Sequence, residues 1–303
     1  MKSQVPLTVI GGFLGAGKTT LINHVLSDNG GVRYTVLVND FGDLAIDESL
    51  IESHDGETIA LANGCVCCSI GNDLIETLMQ ILTRNPAPEH IIIEASGVAD
   101  PRSIAEIGSL DPGLSRDLTI VVVDGAQINE QSNDPLLQDT VDRQLKSADL
   151  ILINHRNELS QARLLDLESW LLEQNVDAAL MRTIDGSLPQ PLLDVQDMSR
   201  LEKSSSPHAD HESKFRSQTH TFQDDANLGD LKRALSGLPP SVLRVKGFVR
   251  SEGHVFDVQK AGKRVKSKRA VGKSPGNTNR LVFIGTHEMP DVRQFNDLAA
   301  MLK

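Results

Sequence analysis

The feature that most constrains the fold is a glycine-rich turn between an apolar run and a helical segment near the N-terminus. The run VPLTVIGG (5–12) leads into FLGAG and then into KTTLINHVL, which satisfies GxxxxGK[ST] at every constrained position. Glycines allow the backbone to wrap around a phosphate, so that several N–H groups and the positive end of the following helix face the anion. The sequence therefore predicts a P-loop and nucleotide binding.

The P-loop assigns roles to individual side chains. Lys18 is expected to reach the β- and γ-phosphates, and the Thr19 hydroxyl to ligate Mg²⁺. A P-loop enzyme also needs a carboxylate at the end of a neighbouring strand, and IIIEASG supplies Glu94, unless that glutamate merely ends a strand. We predict that Lys18, Thr19 and Glu94 are catalytic. The predicted nucleotide contacts within the loop are Gly12, Gly15, Ala16, Gly17, Lys18, Thr19 and Thr20.

Further apolar runs of strand length alternate with helical stretches. Their hydrophobicity is continuous rather than alternating, which is typical of strands buried on both faces of a parallel sheet. We therefore predict the α/β class, with a P-loop NTPase domain whose mostly parallel sheet is covered by helices. The runs are YTVLVND (34–40), HIIIEA (90–95), LTIVVVD (118–124) and DLILIN (149–154).

The composition changes near residue 186, where proline, serine and charge replace apolar periodicity. We predict a P-loop NTPase domain over 1–186, a linker over 187–215 and a smaller C-terminal α+β domain over 216–303. The last segment contains strand-like runs around one helical stretch, NLGDLKRALSGL, and it has no glycine-rich loop of its own.

All three cysteines of the chain, Cys65, Cys67 and Cys68, lie within the segment NGCVCCS. Thiolates bind soft or borderline metals, and alternate residues of an extended segment can direct thiols to one point. Two other interpretations are buried apolar cysteines and a redox pair, since Cys65 and Cys68 also have CxxC spacing. The neighbouring turn-forming residues disfavour burial, so we interpret the cluster as a metal site.

The overall charge and hydropathy indicate which partners and which cellular location to expect. A formal net charge of -11 argues against nucleic-acid binding by the chain as a whole. No apolar run approaches the roughly 18 residues that a transmembrane helix needs, and the N-terminus lacks a signal-peptide pattern. We expect a cytoplasmic protein without membrane partners, in a compartment where clustered thiols stay reduced.

These motifs together resemble the CobW-type P-loop GTPases, a family of metallochaperones related to the urease and hydrogenase nickel-insertion GTPases. The resemblance is carried by GGFLGAGKTTLINHVL, VNDFGDLAID, NGCVCCS and IIIEASGVADP, and in the C-terminal part by LRVKGFVR and LVFIG. It implies a GTPase-type hydrolase that couples nucleotide binding and hydrolysis to metal binding and to delivery to a client metalloprotein. A homodimer is left open.

The resemblance also implies ligand sets. Cys65, Cys67 and Cys68 would bind zinc, and cobalt, iron or nickel cannot be separated from it by ligand type. The family's VNEFGE switch contributes carboxylates to metal, and this chain carries Asp40 and Asp43 in place of both glutamates. Two other functions remain open: a nucleotide-regulated zinc store or thiol sensor without delivery, and a P-loop ATPase or small-molecule kinase.

The guanine-recognition motif departs from the family pattern. Where the family carries N-K-x-D after a strand, this chain carries Asn154, His155, Arg156 and Asn157. A carboxylate at the fourth position accepts both N1–H and N2–H₂ of guanine, whereas the Asn157 carboxamide has a single acceptor. We expect Asn154 and Asn157 to contact the base, with weakened or relaxed specificity among GTP, XTP and ATP.

Two further polar segments lie outside these motifs. The linker histidines His208 and His211, with His220 beyond them, resemble a sparse form of the family's histidine-rich loop, which would collect or pass on metal. Two histidines three residues apart bind zinc weakly without further ligands, so we interpret the segment as a solvated linker. The basic stretch over 259–273 is interpreted as a solvated hairpin loop or a contact for an acidic partner. Aromatic residues make up only 3% of the chain, which disfavours nucleic-acid stacking there.

Overall fold

The computed structural model describes residues 4–27, 29, 31–38, 57–60, 70–108, 110–154, 159–183, 188, 192–193, 215–270 and 279–294. The chain divides into two compact units, one of 1–175 with 181–190 and the other of 176–180 with 191–303. Most of the predicted linker lies outside the described residues, so the boundaries at 186 and 215 stay predictions. Among the described helices, none is long and apolar enough to cross a membrane.

The first sheet has seven strands in the order β3-β2-β4-β1-β5-β6-β7. The first six pair in parallel, and β7 extends the sheet beside β6. The strands are β1 (Val5–Gly11), β2 (Tyr34–Val38), β3 (Glu57–Ala60), β4 (His90–Glu94), β5 (Leu114–Asp124), β6 (Leu150–Asn154) and β7 (Ala179–Arg182). The helices are α1 (Lys18–Ser27), α2 (Ile70–Leu82), α3 (Pro101–Gly108), α4 (Ile128–Asn133), α5 (Gln138–Ser147) and α6 (Gln161–Gln174).

The continuous apolar runs form the centre of this sheet. Leu7 and Val9 of β1 and Ile91 of β4 are fully buried, and they share a core with Ile81 of α2 and Ile104 of α3. Side chains alternate between the faces of a strand, so a strand with no exposed position must be covered on both sides. The predicted α/β class is therefore confirmed.

The strand register places the predicted functional positions at one edge of the sheet. Ile10 pairs with Glu94 on one side and with Ile120 on the other, and Asp124 pairs with Asn154. Since the carboxyl ends of parallel strands meet at the same edge, the turn after β1 lies beside Glu94 and close to Asn154.

The second unit contains an antiparallel sheet of five strands in the order β11-β10-β9-β12-β8. Leu231 and Leu235 of its helix share a core with Val245 and Phe283 of the sheet. A smaller C-terminal α+β domain is thus confirmed. Its elements are β8 (Phe215–Phe222), α7 (Leu228–Ser236), β9 (Val242–Ser251), β10 (His254–Ala261), β11 (Arg264–Arg269), β12 (Asn279–Thr286) and a 3₁₀ turn (Val292–Gln294).

The interpretation of the basic stretch over 259–273 as a hairpin loop is right about the hairpin, but wrong about the loop for residues 259–261 and 264–269, which belong to its strands. Gln259 pairs with Lys266 and Ala261 pairs with Arg264, so the stretch forms the end of β10, a tight turn and β11. β11 is an edge strand of the sheet, and lysine is common on such edges because it discourages pairing with other chains. Because β11 has so few apolar residues, its sequence lacks the alternation of apolar and polar positions that would predict a strand.

Candidate nucleotide-binding site

The P-loop turn depends on glycine at three positions. Gly12, Gly15 and Gly17 have φ angles of 135°, 77° and 101°, a region that favours glycine. A Cβ atom on Gly12 would also lie 2.2 Å from the carbonyl oxygen of Val122. Because that oxygen belongs to the backbone of a central strand, it cannot move aside, and the loop accepts no side chain there.

The loop leads directly into the first turn of α1. Leu21 N–H donates to the carbonyl of Gly17 over 3.0 Å, so the helix begins at the end of the loop. Lys18 is buried, and its Nζ donates to the carbonyl of Phe13 across the loop over 3.2 Å, while Thr20 is exposed. The helix N-terminus and one ammonium group thus lie at the same turn, which is the arrangement that binds phosphate.

Thr19 and Glu94 form a pair between α1 and β4. The Thr19 hydroxyl donates to Glu94 Oε1 over 3.1 Å, although the two residues are 75 positions apart in the chain. Glu94 is 4% exposed. A hydroxyl and a carboxylate are hard oxygen ligands of the kind that Mg²⁺ prefers, and they adjoin the phosphate-binding turn. The residues therefore fit Mg²⁺ at this point.

Asn154 lies at the end of β6 and is 2% exposed. Its Nδ2 donates to the carbonyl of Ala16 over 3.0 Å, and a Cβ atom on Gly17 would lie 2.3 Å from the same nitrogen. Within the described part of the chain, no donor reaches its Oδ1. The residue predicted to contact the base therefore also fastens the P-loop to β6.

Sequence reasoning missed Gln144 of α5, which is 3% exposed. Its Nε2 donates to the carbonyls of Gly97 and Ala99, in the loop that follows Glu94. The available signal was a polar side chain between the apolar positions Val141 and Leu145 of an otherwise amphipathic helix. Its partner could not be found from sequence, because the partner lies more than 40 positions away.

Other predicted ligands lie outside the described residues. Among the residues that are described, no group of three His, Cys, Asp or Glu side chains could hold a metal ion. His220 is described; its ring stacks on Phe222 in β8, with the ring centroids 6.2 Å apart. The predicted residues outside the described ranges are Asp40, Asp43, Cys65, Cys67, Cys68, Asn157, His208 and His211.

The fold and the site together define a class. A parallel sheet covered by helices carries a glycine loop, a buried lysine and a threonine–glutamate pair at the carboxyl ends of its strands. This combination is that of a P-loop nucleotide hydrolase.

The family follows from comparison with known domains. The model of the CobW/HypB/UreG nucleotide-binding domain matches residues 6–182, and that of the cobalamin synthesis protein CobW C-terminal domain matches residues 215–299. The first match alone covers more than half of the chain. This chain therefore belongs to the CobW/HypB/UreG family, and the resemblance inferred from its motifs is confirmed.

Three known proteins show similarity to this chain. A zinc chaperone CobW from Sinorhizobium sp is 28% identical over 339 residues, covering 96% of this chain and 95% of that protein. A zinc-regulated GTPase metalloprotein activator 1 from Schizosaccharomyces pombe is 34% identical over 195 residues, covering 61% of this chain and 47% of that protein. Zinc-bound YjiA GTPase from Escherichia coli superposes with a TM-score of 0.49 at 19% identity, covering 100% of both chains.

Proposed function

We propose that the protein is a GTPase-type metallochaperone that couples nucleotide binding and hydrolysis to zinc binding and to delivery to a client metalloprotein. The observation that carries the proposal is the convergence of three strand ends. Val38 at the end of β2 pairs with Ala60 at the end of β3 and with Glu94 at the end of β4. The segments predicted to bind metal therefore leave the sheet beside the carboxylate predicted to serve the nucleotide.

The chain order strengthens this argument. The aspartates Asp40 and Asp43 follow β2 by two and five residues, and Cys65 follows β3 by five. An extended chain spans about 3.3–3.6 Å per residue, so Asp40, Asp43 and Cys65 can lie only a few residue lengths from the ends of β2 and β3. Both segments therefore begin at the edge of the sheet that carries the P-loop. A change at the nucleotide can thus act on both segments without long-range transmission.

The nucleotide half of the proposal uses residues of the described site. Backbone N–H groups of the P-loop and the Lys18 ammonium would hold the β- and γ-phosphates, and the Thr19 hydroxyl and Glu94 would hold Mg²⁺. A bound Mg²⁺ neutralises the charge that develops on the phosphate oxygens. To bind phosphate, Lys18 exchanges its contact with the Phe13 carbonyl for the stronger contact with an anion.

The metal half follows from the thiols. Cys65, Cys67 and Cys68 would hold zinc as cargo, with Asp40 or Asp43 contributing oxygen in the triphosphate state. We propose that the triphosphate orders the segment from Asp40 to Asp47 and that hydrolysis releases it, so that zinc leaves to the client. Reduced thiols are required, which suits a cytoplasmic location.

The test separates the two halves by substitution. In C65S/C67S, we expect zinc affinity to fall by on the order of 100-fold or more, because two thiolate ligands are lost. Its affinity for a fluorescent GTP analogue in the absence of zinc should stay within about threefold of the wild-type value, since neither thiol belongs to the P-loop. Zinc is titrated against a chromophoric chelator and nucleotide by fluorescence.

T19A is the matched control, because it changes the nucleotide site and leaves every thiol intact. It should weaken Mg²⁺-dependent nucleotide binding while zinc affinity without nucleotide is retained. Equal losses of zinc and nucleotide binding in C65S/C67S would contradict the proposed division of roles.

A further inference from the structure

We propose that Gln144 is a positioning residue of the nucleotide site, which sets the loop after β4 and thereby the placement of Glu94 against Thr19. The inference rests on the proposed nucleotide function, and it concerns a residue on α5 that contacts neither the P-loop nor the Thr19–Glu94 pair in the described hydrogen bonds.

The clamp uses both donors of one carboxamide. Gln144 Nε2 lies 3.0 Å from the carbonyl oxygen of Gly97 and 3.1 Å from that of Ala99. A carboxamide nitrogen carries two N–H groups, so the geometry matches one donor to each acceptor. The side chain is 3% exposed, so water does not readily replace it, and its loss would leave carbonyls without their donor.

The clamped loop is in direct contact with the P-loop. A Cβ atom on Gly97 would lie 2.5 Å from Leu14 Cδ2 and 2.8 Å from Leu14 N, so the two loops touch where Gly97 has no side chain. The same loop starts at Ala95, whose N–H donates to the Ile10 carbonyl over 2.8 Å. A shift of this loop would therefore displace the P-loop, which it contacts, and Glu94, which immediately precedes Ala95.

The helix that carries Gln144 is itself fixed. Asn175, which follows α6, donates through Nδ2 to the carbonyls of Leu145 and Ala148 over 2.8 and 3.0 Å, at the end of α5. The Ser147 hydroxyl donates to the carbonyl of Gln144 over 2.7 Å. Because α5 is held at this end, the carboxamide acts from a rigid frame, and the loop is the part that moves when the clamp is removed.

Q144M tests the clamp, since methionine fills a similar volume and donates no hydrogen bond. Q131M is the matched control: Gln131 of α4 is also buried, at 8% exposed, and none of the hydrogen bonds described above joins it to the loop after β4. Two quantities are measured in each full-length variant. One is the gain in affinity for a fluorescent GTP analogue when Mg²⁺ replaces EDTA, and the other is amide hydrogen exchange of residues 95–99.

In Q144M, we expect the Mg²⁺-dependent gain to fall by about tenfold or more, as for other residues that orient a metal ligand, with faster exchange of the loop amides. Q131M should change neither quantity by more than about twofold. If Q144M loses thermal stability but keeps the Mg²⁺-dependent gain, Gln144 is merely structural and the inference is wrong.

The exchange measurement separates this inference from the proposed function. Should the wild-type protein show no Mg²⁺-dependent nucleotide binding, the proposed function fails, whereas loop exchange in Q144M still reports on the clamp. Unchanged exchange of residues 95–99 in Q144M would overturn the clamp by itself.

Discussion

Asn154→Asp isolates the contact between β6 and the P-loop. Aspartate has nearly the same shape as asparagine, but it places an oxygen where Nδ2 now donates to the Ala16 carbonyl over 3.0 Å. An ionised carboxylate there would face a carbonyl oxygen at hydrogen-bond distance, in a position that is 2% exposed. The substitution thus changes one donor into a repelling acceptor without changing volume.

The expected cost follows from that geometry. The lost hydrogen bond accounts for about 1 kcal/mol, and a buried acceptor left without a donor adds about 1–3 kcal/mol. An unpaired buried charge would cost about 3–5 kcal/mol. The introduced carboxyl is therefore more stable in its protonated form, in which its O–H can donate a hydrogen bond to the Ala16 carbonyl. Burial beside a carbonyl therefore raises the pKa of this carboxyl in the folded state.

The sign of the pH dependence follows from proton binding. With the folded pKa above the unfolded value of about 3.9, the folded state binds more protons in the window between the two. The free energy of unfolding of N154D should therefore fall relative to the wild-type protein as pH rises through that window. Nucleotide affinity should fall with it, because the Ala16 carbonyl belongs to the P-loop.

Asn279→Asp in β12 of the second unit is the control, since Asn279 is also buried and its Nδ2 also donates to a backbone carbonyl, that of Asp224, over 2.6 Å. Urea unfolding at pH 6 and pH 8 should show a loss of about 2–4 kcal/mol at pH 8 in both variants. Titration with a fluorescent GTP analogue should show a loss of about tenfold or more in N154D alone. Wild-type nucleotide affinity in N154D at pH 8, or equal losses in both variants, would refute the reasoning.

Two further predictions concern base choice and a buried lysine. N157D restores the second acceptor for guanine, so its affinity for GTP should rise by about 5- to 150-fold relative to XTP in a nucleotide panel, and an unchanged ratio would contradict this. Burial lowers the pKa of Lys260 to about 8 from 10.5, so the unfolded chain binds more protons between these values. The free energy of unfolding should rise by up to about 3 kcal/mol across that window, and K260M should abolish the rise in urea unfolding.

The central part of the fold could be predicted because its signals are local. The three P-loop glycines, Lys18 and Thr19 all lie within the eight residues 12–19, and the apolar runs of β1 and β4 predict strands buried on both faces. Glu94 could be assigned because it follows such a run. The hydrogen bond between Glu94 and Thr19 could not be predicted, because 75 residues separate the two and only the sheet register brings them together.

Elements other than these apolar runs carry a weaker local signal. α5 is strongly polar apart from positions such as Val141 and Leu145, and α3 begins at a proline, so neither has the apolar content of α2. β11 is an edge strand rich in lysine and arginine, whose partner β10 alone defines it. Likewise, the roles of Asn154 and Gln144 depend on carbonyls of distant loops, which no pattern in the sequence identifies.

The most direct test of the proposed coupling is a zinc titration of the reduced protein against a chromophoric chelator in several nucleotide states. The protein is titrated alone, with GTP·Mg²⁺, with ATP·Mg²⁺ and with the corresponding diphosphates. We predict that a triphosphate changes zinc affinity by about tenfold or more and that its diphosphate does not. Tight zinc binding that is identical in every state would make the cysteine cluster a static store or thiol sensor and would contradict the metallochaperone function.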